Sequence, residues 1–332
     1  MQAEGDLDEE ELEAVVLILL VDTPERIIYP NMRMNLNELS DANCISMFRF
    51  AKESIYLLTI EFGLPETIIV KERYRTTCLE ALLILLRRMA YPNRLASLCG
   101  EFGRSESAIS TIFLHMVELL ADRFKDKIYF DRNAIPLVQQ FSQAIHDQGS
   151  PLQTCWGFID GTIRPCCRPV RHQRIVYNGH KRVHSLKFQS ITAPNGMIVS
   201  MFGPVEGRRH DVALLQESNI MQLLQNTPQL QGYILYGDPA YAVNGYFISP
   251  FRGAALTEEQ QEFNRQMNSV RVSVEWMFGA IVRQWAFIDF KKSIKVSQLK
   301  TKKKKKKEEK RREKKKEKRK EISKKRNRSQ EI

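Results

Sequence analysis

Apolar residues recur at spacings of three and four from Glu258 to Trp285, at Phe263, Met267, Val270, Val274, Met277, Ile281 and Trp285. That period predicts one long helix. Upstream of it the pattern changes to short apolar, β-prone runs. Residues 155–160 and 233–238 read as buried strands. Leu186 to Ala193 and Met197 to Phe202 read as two more, joined by the turn signal Pro194-Asn195-Gly196. Asp211 to Leu224 reads as a helix with Val212, Leu215 and Ile220 among its apolar positions. Strand, hairpin, helix, strand and helix in this order predict an α/β domain over residues 150–299.

The pattern of residues 70–130 is all helical. Thr77 and Glu80 form a capping-box signal. Leu79, Leu82, Leu83, Leu86 and Met89 then mark one face of a helix that must stop before Pro92. Arg94 to Glu101 is a second, short helix, and Phe102-Gly103-Arg104 a turn. Ser105 can cap a third helix running through Ile109, Ile112, Phe113 and Met116. This spacing suits a helix-turn-helix, with Arg104, Glu106, Ser107 and Ser110 at the start of the recognition helix. It suits an ordinary helical hairpin as well, and Glu106 opposes phosphate binding. Residues 1–69 carry an acidic lead (Glu4, Asp6, Asp8, Glu9, Glu10, Glu11, Glu13) and the apolar run Ala14 to Val21. That run is too short to span a bilayer, and its acidic lead is wrong for a signal peptide, so no membrane partner is expected.

A length of 332 residues leads one to expect two domains, and the net charge of +12 is unevenly spread. Residues 300–332 hold 20 Lys+Arg against 6 Asp+Glu, a net of +14, and the rest of the chain is at −2. The tail is too uniformly charged to build a core; it reads as a solvated end, a localisation signal or a DNA tether. Within the body, Arg164, Arg168, Arg171, Arg174, Lys181, Arg182, Lys187, Arg208 and Arg209 follow Asp160 with only Glu206 among them. Such a basic segment is either a solvated loop or a track for a phosphate backbone. The six cysteines form no C-x-x-C pair, which fits free thiols. His180 and His184 are at helix-like spacing, with His172, Cys166 and Cys167 nearby, but this matches no standard zinc pattern.

The chemistry gathers on three acids. Asp160 and Asp238 each close a β-prone run beside Gly or Pro, at the rim of a sheet, and Glu275 lies within the long helix. Two carboxylates at strand ends and one from a helix can hold hard divalent cations through oxygen. Each also has an ordinary reading. An Asp before Gly or Pro is a common turn residue. Arg271, four residues before Glu275, offers it a helix-surface ion pair.

The flanks of these acids resemble the Harbinger-type transposases and the host nucleases derived from them, a family of DDE endonucleases. The stretches that carry the resemblance are Gly157 to Thr162, Tyr177 to Lys181, Gly207 to Asp211, Gly237 to Tyr241 and Arg271 to Gly279, in the family's order. Asp238 and Glu275 are 37 positions apart, a separation of the size this family uses. The resemblance implies an RNase H-like catalytic domain, a mixed sheet flanked by helices, preceded by an all-α helix-turn-helix region. It carries catalysis and the binding of two Mg²⁺ or Mn²⁺ ions onto Asp160, Asp238 and Glu275. Asp211 is an accessory candidate, although its place at a helix start suits an N-cap. The implied substrate is DNA, with no small-molecule cofactor, and contacts are expected from Arg104, Ser107, Ser110, Arg164, Arg168, His180, Lys181, Arg208 and Arg209. The family also implies a nuclear location and a separate Myb-like DNA-binding partner. Family members generally continue into a further apolar helical segment where this chain has its charged run. A domesticated, inactive DNA-binding or scaffold protein therefore stands beside the nuclease as a reading.

Overall fold

The computed structural model describes residues 28–289 except 72, 171, 172 and 242, together with 10, 12–14 and 16; the side chains of 272–277 lie outside the description. Apart from those few positions, the acidic lead, the apolar run 14–21 and the tail 300–332 fall outside the described residues. The chain separates into two compact units, residues 1–88 with 93–120 and residues 89–92 with 121–332.

The first unit is mainly helical. Helices α1 (Asp41–Phe48) and α2 (Lys52–Glu61) precede an antiparallel pair, β1 (Thr67–Ile69) and β2 (Arg75–Thr77). Then come α3 (Cys78–Ala90), α4 (Leu95–Phe102) and α5 (Glu106–Tyr129), whose end from Ala121 onward belongs to the second unit. The starts of these helices use the caps the sequence offers. Thr77 Oγ1 accepts from the Glu80 amide at 3.1 Å, and Ser105 Oγ from the Ala108 amide at 3.3 Å. α4 ends at Gly103 with φ of 56°, where a Cβ would overlap the carbonyl oxygens of Pro30 and Met32. Leu82, Leu86, Leu98, Phe102, Ile109 and Met116 are buried, so the predicted apolar faces form the core of this unit.

The second unit is built on a mixed sheet flanked by helices. Its strands are β3 (Cys155–Pro165), β4 (Tyr177–Asn178), β5 (Val183–Thr192), β6 (Ile198–Glu206), β7 (Ile234–Gly237) and β8 (Phe247–Ile248). The order is β4-β5-β3-β7-β8, with β6 also paired to β5. β3, β4, β5 and β6 pair antiparallel, whereas β7 runs parallel to β3 and to β8. The hairpin turns where Pro194-Asn195-Gly196 predicts: the Ala193 amide donates to Met197 O at 2.9 Å, and Gly196 takes φ of 82°.

The helices of this unit are α6 (Val138–Asp147), α7 (Gln173–Val176), α8 (Asp211–Ser218), α9 (Ile220–Gln225) and α10 (Glu258–Gln284). The single helix expected from Asp211 to Leu224 is divided in two. Asn219 takes φ of 55°, a left-handed conformation that Asn tolerates, and the Ser218 hydroxyl bonds back to Leu215 O at 2.9 Å. α10 matches its predicted range and starts with a full capping box between Thr257 and Gln260.

Alternation along the strands feeds two cores. Cys155 and Phe158 of β3, with Ile234 and Tyr236 of β7, pack against Ile145 of α6 and Met267 and Val270 of α10. Trp156, Ile159 and Leu235 point the other way, against Ile220 and Leu224 of α9, Tyr241 and Phe247. Among the described residues no helix is long and apolar enough to cross a membrane.

Candidate active site

Parallel pairing of β3 with β7 places Ile159 opposite Gly237, so the next residues, Asp160 and Asp238, stand side by side on strands about 4.8 Å apart. Asp160 keeps the parity of Phe158 and faces α10. There the Arg271 guanidinium meets its Oδ1 at 3.3 Å, and the same oxygen accepts the Gly161 amide at 2.9 Å. The Asp160 side chain is 23% exposed. Burial pushes its carboxyl above the ordinary value; Arg271 and the Gly161 amide oppose this, and Asp238 and Asp211 add to it.

Asp238 fills both the turn role and the rim position. Its Oδ1 accepts the Ala240 amide at 2.7 Å, and its carbonyl accepts the Tyr241 amide at 2.9 Å. Glu275 lies on α10, one helical turn after Arg271, and its side chain is outside the described residues. The helix-surface pair expected from Arg271 to Glu275 has a competitor across the fold, because Arg271 reaches Asp160. Sequence spacing shows only neighbours on the same helix.

Asp211 is not the N-cap expected of it. His210 holds the cap position without a side-chain cap bond, and Asp211 is the first residue of α8. Its carboxylate instead pairs with Lys187 Nζ at 2.9 Å and lies over Gly161, where a Cβ would overlap it. Lys187, from β5, is buried and also donates to Arg209 O at 3.1 Å. Tyr241 is fully buried close by. Burial first, then Asp211, Asp160 and Asp238, drive its phenol far above the usual range, so it stays a neutral donor. Its hydroxyl has no hydrogen-bond partner among the described residues. Three carboxylates, two cations and an unsatisfied phenol thus meet around the Asp160-Gly161 step.

This donor set fits a hard divalent cation. It is all oxygen, and the Asp160 carboxyl, raised by burial first and then by Asp238 and Asp211, stands where a bound cation would stabilise its ionised form. Among the described residues, which do not include the Glu275 side chain, no group of three His, Cys, Asp or Glu could hold a metal ion, so a complete site needs Glu275 beside Asp160 and Asp238. His180 and His184 lie on a turn and on β5, not on a helix, and His172 and Arg171 are outside the described residues. The six cysteines are free thiols.

The residues expected to contact DNA fall into different settings. Arg104 is not presented to solvent. It forms a two-pronged pair with Glu80, at 2.6 and 2.7 Å, and donates to Arg75 O at 2.9 Å. Glu80 bonds there and to Thr76 Oγ1, so the Thr77–Glu80 capping box closes on one side only. Ser107 is exposed and Ser110 half-buried on α5. Arg164 lies 3.8 Å from Asp289 and over the Phe278 ring, and Arg209 pairs with Glu206 and Glu217. His180 and Lys181 are exposed on the β4–β5 turn. Arg168 and Arg208 are exposed and line one cavity with Arg174 and Tyr177.

Residues 159–307, the stretch holding Asp160, Asp211, Asp238 and Glu275, match the family model described as DDE superfamily endonuclease. This segment is similar to the DDE superfamily endonucleases. Two curated proteins are similar to the chain as well. "Protein ALP1-like" of Arabidopsis thaliana is 20% identical over 220 residues, covering 62% of this chain and 53% of that protein. "Probable transposase for insertion sequence element IS702" of Microchaete diplosiphon is 24% identical over 177 residues, covering 53% of this chain and 59% of that protein. The chain therefore spans little more than half the length of either. No solved structure matches it.

Proposed function

We propose that the chain is a metal-dependent DNA endonuclease of Harbinger type, with an RNase H-like catalytic unit, that cleaves phosphodiester bonds and has the chemistry for strand transfer. One observation carries this reading: Asp160, midway along β3 and facing the helix that holds Glu275, stands beside Asp238, just past the end of the parallel strand β7, inside the stretch matched by the endonuclease family. The three carboxylates would hold two Mg²⁺ or Mn²⁺ ions. When bound, such ions supply an activated water or 3′-hydroxyl and stabilise the leaving oxygen. The protein's own contribution is placement. The sheet fixes the two aspartates at one spacing, and the Gly161 amide and Arg271 orient the Asp160 carboxylate. Lys187 pairs with Asp211 against Gly161, and Tyr241 keeps a neutral donor near the acids. DNA would approach over the exposed basic residues His180, Lys181, Arg168 and Arg208, with Ser107 and Ser110 at a helix-turn-helix in the first unit. A Myb-like partner and a nuclear location complete the proposal.

The test is nicking of supercoiled DNA in Mg²⁺. Asp160→Asn removes a negative ligand at nearly constant shape and is expected to abolish nicking; unchanged activity would sink the assignment. Arg271 favours a second reading, because a fixed cation already sits on Asp160, as a scaffold protein without metal would need. Calorimetric titration with Mn²⁺ separates the two. Binding that disappears in Asp160→Asn supports the nuclease, and heat that is absent or indifferent to the acids supports the scaffold.

A further inference from the structure

The arginines of the second unit sort themselves by partner. Arg209, Arg164 and Arg271 each face a carboxylate. Arg168, Arg174 and Arg208 have no ion pair among the described residues, and all three line one cavity of about 440 Å³. No acid lines it. Three exposed arginines lining one cavity favour an anion there; Arg168 Nε already donates to Gln173 Oε1 at 2.9 Å, which fixes its place in the lining. The cavity is built and not merely lined. The Asn178 amide donates to Gly207 O at 2.9 Å, the Gly207 amide to Ser185 O at 3.0 Å and the Arg208 amide to Ile175 O at 3.4 Å, pinning the loop after β6 to the α7–β4 segment. A Cβ at Gly207 would overlap Ser185, so this approach requires glycine.

The cavity also has an aromatic wall. Tyr177 packs edge to face on His184, with ring centroids 5.2 Å apart, and Tyr177 is 40% exposed. A phosphate backbone running along a duplex needs cations but no ring. A ring beside a phosphate site suits a base that has left its stack. A volume of 440 Å³ accommodates a nucleotide and excludes a duplex. The register puts Asp160 opposite Ser190 and Pro165 opposite Ser185, next to His184. The cavity therefore lies about 20 Å along the sheet from the acidic pair at about 3.3 Å per residue, or about six base steps of B-form rise.

We infer that this cavity seats one nucleotide held outside the duplex, its phosphate on Arg168, Arg174 and Arg208 and its base on Tyr177. The inference rests on the DNA-binding reading above and names the structure in the substrate that this reading leaves open. It makes the protein a reader of unpaired or easily opened positions near the cleavage point.

The experiment is fluorescence anisotropy with the full chain in EDTA, using a fully paired duplex and the same duplex carrying one bulged adenine. The bulged duplex is expected to bind about tenfold more tightly, the size of effect a stacked base gives. Tyr177→Ala should erase the difference and leave affinity for the paired duplex unchanged; Tyr177→Phe should keep it, which separates stacking from damage to the fold. Arg174→Gln should weaken the bulged duplex more than the paired one. Free deoxyadenosine 5′-monophosphate should compete away the bulge preference alone. Equal binding of both duplexes, or a preference that survives Tyr177→Ala, overturns the inference while leaving DNA binding intact. If the chain binds neither duplex, the DNA reading falls with it. Tyr177-dependent binding of the free monophosphate without any bulge preference makes the cavity a mononucleotide site and also overturns the inference.

Discussion

Asp160 sets up a conflict between stability and chemistry at a single residue. Its folded carboxyl is raised by burial, so the folded state holds the proton more tightly than the unfolded chain does. The sign follows. Protonated Asp160 favours the fold, and that contribution is lost as pH rises through the raised folded value. At neutral pH the ionised side chain therefore costs stability that chemistry requires. Asp160→Asn is expected to raise the melting temperature of the second unit at pH 7.5 by a few degrees, about 1 kcal/mol, while abolishing nicking. The gain should shrink as pH falls toward 4, because native Asp160 then carries a proton. Scanning calorimetry at both pH values checks this, and an equal gain at both would refute it. Arg271 is the second residue to test. Removing a unit charge beside a ligand, Arg271→Gln, should tighten Mn²⁺ binding at least about fivefold, taking about 1 kcal/mol, the fully water-screened value for unit charges about 4 Å apart. Calorimetry on the metal alone reads it without any turnover.

Elements differ in how far the chain announces them. α10 shows its period over many turns, and its capping box lies at the predicted start. The strand that delivers Asp238 is legible because its apolar run stops at Gly237, and the hairpin because Asn195-Gly196 turns easily; the strand expected to end at Asp160 instead runs on to Pro165, because its pairing with β5 continues as far as Ser185. β1 and β2 are three residues each, too short for any period to appear. The break at Asn219 is a single left-handed residue within an otherwise helical pattern. Arg104 marks the limit of motif reading in another way: its position suits a recognition helix, but its partner, Glu80, comes from a helix two elements away. The side chains of that pair are 10% and 11% exposed. Breaking it as Arg104→Met should leave Glu80 buried without a counter-charge and cost about 3 kcal/mol. Hydrogen exchange should show α3 and α5 amides losing protection, and Glu80→Gln in the same chain should restore most of it. If protection is unchanged in Arg104→Met, the pair is dispensable and Arg104 returns to the candidates for DNA contact.

At the scale of the whole molecule the charge is divided by function. The body is near neutral at −2, so under the proposed function DNA would be held by local basic sites such as the Arg168–Arg208 cavity, and the tail at +14 stands apart. The site itself was half legible for a related reason. The acids sit at the ends of contiguous motifs, whereas Lys187, Arg271 and the cavity are assembled from separate stretches that only the sheet register brings together. The tail needs no such assembly, and its action should follow from charge alone. Deleting residues 300–332 is expected to weaken duplex binding at low salt and flatten its salt dependence, with each lost phosphate contact removing about 0.9 from the slope of log K against log salt. The six acids among its twenty bases limit that loss to several contacts. Preference between sequences, and between paired and bulged duplexes, should be unchanged, because phosphate contacts position a protein without specifying where it binds. Anisotropy titrations at two salt concentrations decide the matter. An unchanged slope would show that the tail does not touch DNA, and a lost bulge preference would show that it contributes to the cavity's reading and not only to its hold on the backbone.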